Sequence, residues 1–421
     1  TARLIADATE RTVTETGVTT ARPPVKPESL GVLAGRRFHP IRKTPMDQRH
    51  LALGAHMIPA GSWRRPAFYG ALGHRAANIA AEAHAVRNGV GMIDVSTLGG
   101  IELRGPDAAE FMNRIYTYGF LKQPVGKTRY AALANEQGVI IDDGVAARLA
   151  EDHFYVTATT TGVDRVYSEM LRWNAQWRLD LDIAQVTSAY SAVNVAGPFS
   201  RDVLEQAGCN IELSSESFPY LACREGMVAG IPARLMRVGF VGELGFELHV
   251  PSLMAQTLWD KLMVAGEAFN IRPFGVETQR LLRLEKGHII IGQDTDGMSH
   301  PGEVGLAWAI NRKKAFFVGR RSVDILMSQP LKRQLVGFTL SPSAPKPEEG
   351  HLVLRDGDIV GTVTSCEYSP TLAKVIGLAY VHPDDAQPDS EVTIRTADGV
   401  CVQAPIATLP FYDPGNARQQ L

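Results

Sequence analysis

The sequence has few cysteines, no long apolar run and no excess of either charge, and each shortage excludes something. Its four cysteines, Cys209, Cys223, Cys366 and Cys401, are scattered over 421 residues with no C-x-x-C pair. That spacing excludes an ordinary zinc ribbon and a disulfide framework, and free thiols point to a reducing, cytoplasmic setting. No apolar stretch reaches the roughly 18 residues of a membrane-spanning helix, so no membrane partner is expected. The N-terminus lacks the apolar core of a secretory signal. The chain opens at Thr1, which fits either loss of an initiator Met or a place inside a longer polypeptide. A net charge of −2 argues against nucleic acid or an acidic membrane as the main partner.

Self-evident cofactor motifs are lacking too. Gly126-Lys127-Thr128 looks like the end of a phosphate-binding loop, but Leu121 stands where the upstream glycine belongs. Gly89-Val90-Gly91 has Asp94 in place of the third glycine of a dinucleotide fingerprint. There is no H-E-x-x-H and no G-x-S-x-G, and the eleven histidines show no metal-ligand spacing. His288 and His300 lie near candidate site segments, yet a lone histidine reads first as a hydrogen-bonded structural residue. With 45% hydrophobic and 21% charged residues, the chain is globular and long enough for two or three domains. A pocket for a small molecule, built from scattered polar groups, is the expectation.

What is present centres on Tyr130 to Leu149. A small-residue segment leads to a turn at Asn135-Glu136-Gln137-Gly138, then to Val139-Ile140-Ile141, and the adjacent acids Asp142 and Asp143 interrupt that β-branched run. Burying a carboxylate costs several kcal/mol unless it is paired or hydrogen-bonded. Strand side chains alternate between faces, so one acid can face inward and the other out. Gly144 then predicts a bulge or a close approach of backbone to a ligand. The same pattern also fits an exposed, glycine-flanked acid turn.

Residues 1 to about 37, Thr-rich and then Pro-rich, read as an extended arm docked on another surface. Periodicity predicts helices over Ala76–Asn88, from Pro106, over Val163–Trp173, Leu258–Phe269 and Gly275–Lys286. Strands are expected at Met92–Ser96, Phe154–Thr157 and Thr187–Val195. Asp94 reads either as catalytic or as the acceptor of a local backbone hydrogen bond. Ala233 to Val250 gives two strands around a Gly-rich turn that holds Glu243. Glu247 sits on the face opposite Phe246 and Leu248, so it is a ligand group if that face lines a pocket and ordinary if it meets solvent. Gly292 to Trp308 reads as a loop. Beyond about Ser328, short alternating strands with turns at Asp356-Gly357, Gly361 and Asp398-Gly399 predict a small all-β barrel.

Several segments occur in a fixed order: Arg42-Lys43-Thr44-Pro45, Gly61-x-Trp63, Val90 to Ser96, Ile140-Ile141-Asp142-Asp143, Gly242-Glu243-x-Gly245-Phe246-Glu247, Gly292-Gln293-Asp294, Glu303-Val304-Gly305-Leu306-x-Trp308, and Thr364-Ser365 with Ser369-Pro370-Thr371-Leu372. In this set the chain resembles the folate-dependent aminomethyltransferases of the glycine cleavage system. Gly61 to Pro66, Glu285-Lys286-Gly287, Asp294 to Gly297, Val318 to Ser322 and the Pro-rich arm are similar to one branch of that family, the C-terminal half of the α subunit of heterotetrameric sarcosine oxidases. The resemblance covers nearly the whole chain after the arm.

The resemblance implies an α+β fold, a three-domain cloverleaf around a channel for tetrahydrofolate. It divides the chain into an arm (1–40), a folate-binding region of two intertwined α+β domains (41–327) and a C-terminal barrel (328–421). Asp143 matches the essential aspartate, Glu247 the glutamate that grips the pterin, and Tyr130, Leu98 and Val145 the walls of the folate pocket. Phe240 and His288 stand where glycine-cleavage members carry tyrosines, and Gln279 where they carry an arginine for the folate tail. Tyr412 is followed by Asp413, not arginine. The implied activity is capture of a one-carbon unit from a small-molecule donor as 5,10-methylenetetrahydrofolate, beside flavoprotein oxidase subunits that hold the flavin. A free-standing folate-dependent demethylase and a non-catalytic scaffold of the same fold are the other readings.

Overall fold

The computed structural model describes residues 42–388 and 390–421; the predicted arm lies outside them. From the start of that region the order is α1 (Asp47–Ala52), β1 (Ala55–Ala60), β2 (Trp63–Tyr69), α2 (Arg75–Asn88), β3 (Gly91–Asp94), β4 (Gly99–Arg104) and α3 (Ala108–Ile115). Next come β5 (Lys127–Ala134), β6 (Ile140–Ala150), β7 (His153–Ala158), α4 (Val163–Trp177), β8 (Asp182–Gln185), β9 (Tyr190–Ala196) and α5 (Ser200–Gln206). Then follow β10 (Cys223–Val228), β11 (Ile231–Met236), β12 (Gly245–Pro251), α6 (Ala255–Ala265), β13 (Arg272–Pro273), α7 (Val276–Glu285) and α8 (Arg320–Ser328). The last strands are β14 (Gln334–Leu340), β15 (Leu352–Arg355), β16 (Asp358–Ser369), β17 (Lys374–Val381), β18 (Glu391–Arg395) and β19 (Cys401–Ala407).

These strands form a six-stranded sheet in the order β10-β11-β12-β9-β3-β13, a five-stranded sheet in the order β5-β6-β7-β4-β8, a β1–β2 hairpin, and a closed barrel β14-β17-β16-β15-β18-β19. The α+β class and the C-terminal barrel therefore stand as expected. Pairing is antiparallel throughout the two large sheets except between β13 and β3. Pro59 and Pro66, which lack an N–H, sit in the two-stranded hairpin, where a missing donor is tolerated, and Pro66 lies beside its register shift.

Each large sheet covers one face with helices. Phe246, Leu248 and Val250 of β12 pack with Val203 and Leu204 of α5 and with Leu258, Trp259 and Leu262 of α6. Ile101, Ala146, Phe154 and Val156 of the five-stranded sheet pack with Phe111, Met112 and Ile115 of α3 and with Val163, Val166 and Met170 of α4. Each such fully buried large side chain contributes about 1.5–3 kcal/mol. The opposite faces meet each other, with Ala147 and Tyr155 of one sheet packed with Cys223, Met236 and Val238 on the other side. Strand alternation thus sends half of β6 and half of β12 into the space between the sheets.

One expected strand is shorter than its alternation suggests. Thr187 to Ala189 is a turn, closed by Ala189 N–H donating to Val186 O at 2.9 Å, and β9 begins at Tyr190. The Gly292–Trp308 stretch carries no strand and only the start of a single 3₁₀ turn, Ala307–Ala309, and the helix expected to end at Trp173 runs on to Trp177.

Candidate functional site

The central hairpin forms as the turn signal predicts, with β5 and β6 joined through Asn135 to Gly138. Its two acids part company. Asp142 is buried, and its Oδ1 accepts from the Asp143 N–H at 2.9 Å. Its Oδ2 lies against Gly162, in the turn that leads into α4, on the helical side of the sheet. Burial pushes the Asp142 carboxyl up to about 6 against the pull of Thr159. Asp143 shares the face of Val145, which packs with the residues between the sheets. The Tyr130 hydroxyl donates to Asp143 Oδ2 at 2.8 Å. Burial, with the neighbouring Asp142 charge, pushes Asp143 up to about 7 even against that hydrogen bond. A half-buried carboxyl therefore stands near its midpoint at neutral pH, able to take up or release a proton.

Gly144 does not make room for a ligand, as the sequence suggested. A Cβ there would stand 1.9 Å from the Thr157 carbonyl oxygen of β7. The glycine serves the close approach of two strands, and the neighbouring Val145 N–H donates to Thr157 Oγ1 at 2.9 Å.

Glu247 sits in the middle of β12, opposite Met236 on one neighbour and Asn194 on the other. It faces the space between the sheets, with 9% of its surface exposed. Its Oε1 accepts from His249 Nε2 at 2.8 Å, and His249 Nδ1 meets the Tyr155 hydroxyl of the facing sheet at 3.0 Å.

The remaining expected residues fall into two groups. Phe240 and His288 stack with ring centroids 5.7 Å apart, and His288 Nδ1–H donates to the Phe240 carbonyl at 2.8 Å. Burial lowers the His288 pKa and keeps the ring neutral. Leu98, between β3 and β4, packs in a cluster with Val241, Leu281 and Leu282, while Gln279 lies beside these leucines on α7. Tyr130 belongs to a different cluster, with Leu284, Leu306, Leu378 and Tyr380. The fold thus brings Tyr130, Asp143 and Val145 onto one hairpin. Leu98 comes from the β3–β4 connection and Gln279 from α7.

Three neighbours carry no sequence-level role. The Trp308 ring, 62% exposed, lies 5.2 Å from Tyr130. His249 could have been found by period two, since it follows Glu247 by two positions and shares its face. Tyr155 lies on another strand and has no such signal. Asp94 takes its local reading, as its Oδ1 accepts from the Ser96 N–H at 2.9 Å while Oδ2 meets His50 Nε2 at 3.0 Å. Glu243 is no open turn residue. It is wholly buried and paired with Arg87 and Arg418. Among the described residues no group of three or more His, Cys, Asp or Glu side chains is placed to hold a metal ion, and no helix is long and apolar enough to cross a membrane.

Comparisons with known proteins agree with this architecture. Residues 46–314 match the GCVT N-terminal domain, residues 333–413 the glycine cleavage T-protein C-terminal barrel domain, and residues 1–36 the sarcosine oxidase A3 domain. The chain is 38% identical to the sarcosine oxidase subunit alpha of Corynebacterium sp. (strain P-1), over 96% of this chain and 43% of that protein. It therefore spans less than half the length of such alpha subunits. It is 32% identical to an aminomethyltransferase of Halothermothrix orenii, over 88% of this chain and 100% of that protein. The crystal structure of the glycine cleavage system aminomethyltransferase T from Bartonella henselae superposes with a TM-score of 0.79 at 24% identity, over 88% of this chain and 98% of that one, which is a likeness of fold. With a family model spanning more than half of its length and a full-length relative above 30% identity, the chain belongs to the glycine cleavage T-protein, or aminomethyltransferase, family.

Proposed function

We propose that residues 41–327 hold tetrahydrofolate and that the chain loads a one-carbon unit onto it, giving 5,10-methylenetetrahydrofolate. In this reading the chain is the folate-binding part of a cytoplasmic N-methyl amine oxidase whose flavin resides on other subunits, with 1–40 as an arm and 328–421 as the closing barrel. The Tyr130–Asp143 pair carries the proposal. A carboxyl with no cation paired to it among the described residues, half-buried and held by a tyrosine, suits a nitrogen nucleophile that sheds a proton and gains positive charge. The match of residues 1–36 to a sarcosine oxidase domain favours the oxidase setting over a free-standing transferase.

The donor set fits the group. A pterin presents an N–H and an exocyclic amine on one edge, which a carboxylate such as Glu247 accepts. Val145 and Leu98 offer apolar surface to its rings, with Phe240, His288 and Gln279 toward the tail. Tetrahydrofolate, when bound, supplies the amine that accepts the one-carbon unit. In its ionised form Asp143 would orient that amine and stabilise the positive charge that develops on it, and it would become neutral on taking the proton the amine releases. Tyr130 fixes the Asp143 carboxyl in one rotamer.

The test combines tetrahydrofolate, an N-methyl amine such as sarcosine and the flavoprotein subunits that copurify from the native host, with the folate read by mass spectrometry. Methylenetetrahydrofolate above the spontaneous rate is expected. Methyltetrahydrofolate with no flavoprotein present would favour a free-standing demethylase. Absence of calorimetric binding at millimolar tetrahydrofolate would leave only a scaffold.

A further inference from the structure

We propose that His249 and Tyr155 are positioning residues that aim Glu247 at its ligand. The inference rests on the reading of Glu247 as a folate-binding group. It starts from the direction of two hydrogen bonds. An ionised carboxylate only accepts, so the 2.8 Å contact to Glu247 Oε1 places the proton on His249 Nε2. In the Nε2–H tautomer Nδ1 is bare and accepts the Tyr155 hydroxyl at 3.0 Å. Burial raises the Tyr155 pKa and keeps the hydroxyl a donor. Donation thus runs one way, from Tyr155 through His249 to Glu247. It occupies one lone pair of Oε1 and fixes the plane of the carboxylate, leaving Oε2 and the second lone pair of Oε1 for a ligand.

The arrangement is assembled from three strands. His249 is 3% exposed on β12, and Tyr155 is 2% exposed on β7 of the facing sheet. Gly100 on β4 makes space for the hydroxyl, since a Cβ there would lie 2.8 Å from Tyr155 Oη. Arg234 covers the Tyr155 ring at 4.5 Å, but Glu102 and Glu225 engage its guanidinium, at 3.3 and 3.1 Å. No Lys or Arg pairs with Glu247 among the described residues, and its orientation falls to the imidazole. A free glutamate side chain loses rotamer freedom when a ligand captures it, and one already held loses less. Such a device strengthens binding and leaves the chemical step alone.

Calorimetry with tetrahydrofolate on the full chain tests this, with transfer rates measured at saturating folate. His249→Asn puts an amide where Nδ1 stands and cannot reach Glu247, whereas His249→Gln puts one where Nε2 stands. His249→Asn should weaken binding about tenfold and His249→Gln by no more than about threefold, the scale of one hydrogen bond. Transfer rates at saturation should match the wild type for both. Tyr155→Phe keeps the ring and removes only the hydroxyl; it should weaken binding about threefold and carries the test if His249→Asn fails to fold. The ¹⁵N shifts of His249 should report the Nε2–H tautomer, and the Nδ1–H tautomer would overturn the proposal. So would wild-type affinity in His249→Asn and Tyr155→Phe while Glu247→Gln binds weakly, an outcome that leaves Glu247 as a folate ligand. Wild-type affinity in Glu247→Gln would remove the underlying reading, and this proposal with it.

Discussion

At the C-terminal end of α7 the buried carboxylates Glu243, Glu285 and Asp294 each meet a guanidinium; on the β5–β6 hairpin, neither Asp142 nor Asp143 does. Glu285 accepts from Arg87 Nη2 at 2.7 Å and from Ser369 Oγ of the barrel at 2.6 Å. Glu243 is held by Arg87 at 3.0 Å, by Arg418 at 2.9 Å and by the Tyr412 hydroxyl at 2.8 Å. Asp294 accepts from Arg283, from Thr364 and Ser365, and from the Ile290 N–H. Asp142 and Asp143 are also withdrawn from water, yet they form no ion pair among the described residues, and Asp142 Oδ2 has no hydrogen-bond partner. The contrast separates two uses of one residue type. A carboxylate held by a guanidinium, with donors on both oxygens, locks elements together. One left short of partners keeps a raised pKa and the capacity to change its charge.

The comparison breaks most severely at the joint. Asp294→Ala leaves the Arg283 guanidinium, 1% exposed, without its counter-charge. Stability should fall by about 3–5 kcal/mol, the scale for orphaning a buried ion, and the barrel should become susceptible to limited proteolysis. Urea unfolding of the variant beside the wild type measures this. A loss under about 1 kcal/mol would mean that the pair is solvated and that the joint rests on apolar packing alone.

Asp143→Asn is the matching break at the hairpin, and its effect falls on rate. The amide keeps the shape and can still accept from Tyr130, so folding and most folate affinity should persist. Transfer should slow by roughly 10²-fold or more, the scale of losing one preorganised electrostatic partner. In the wild type the rate should rise with pH through about 7 as Asp143 ionises. The variant should lack that rise. Methylenetetrahydrofolate formation, corrected for the spontaneous reaction, is the assay. Equal rates would take Asp143 out of the chemistry.

These two regions were unequally legible in the sequence. The hairpin could be read because its signals are local: a turn at Asn135 to Gly138, two acids in a β-branched run, and alternation that sends them to opposite faces. The barrel was legible for the same reason, through short strands and Asp-Gly turns. The joint was not. Arg87 and Glu285 lie 198 positions apart, and Arg283 and Ser365 lie 82 apart. Nothing local distinguishes Glu243 in a Gly-rich turn from an exposed turn acid, and only its burial against Arg87 and Arg418 does. The family motifs carried that information unread, since Gly292-Gln293-Asp294 and Thr364-Ser365 are two sides of one contact. Gly144 misled because a glycine beside an acid has two explanations, and the carbonyl of Thr157 that decides between them belongs to another strand.

The smallest expected effect is on the other acid of the pair, and it tests whether the hairpin's two faces are independent. Asp142 points to the helical layer, against the turn at Thr159 to Gly162, and its carboxyl is pushed up to about 6. In the unfolded chain it would titrate near 3.9. Between those values the folded state binds more protons than the unfolded one, so the contribution of Asp142 to stability falls as pH rises from about 4 to 6, and the loss is complete above that. Asp142→Asn removes this penalty while its side-chain oxygen can still accept from the Asp143 N–H. The variant should therefore melt slightly above the wild type at pH 8, and the gap should close by pH 4, where the wild-type carboxyl is protonated in the folded protein. Its transfer rate per folded molecule should stay within about twofold of the wild type, because the lost charge lies on the far face of the strand and is only the smallest of the influences on the Asp143 pKa. Thermal melts at the two pH values, with rates at saturating folate, settle the matter. A rate as low as that of Asp143→Asn would show that the two carboxyls titrate as one unit and that the separation of faces does not isolate them.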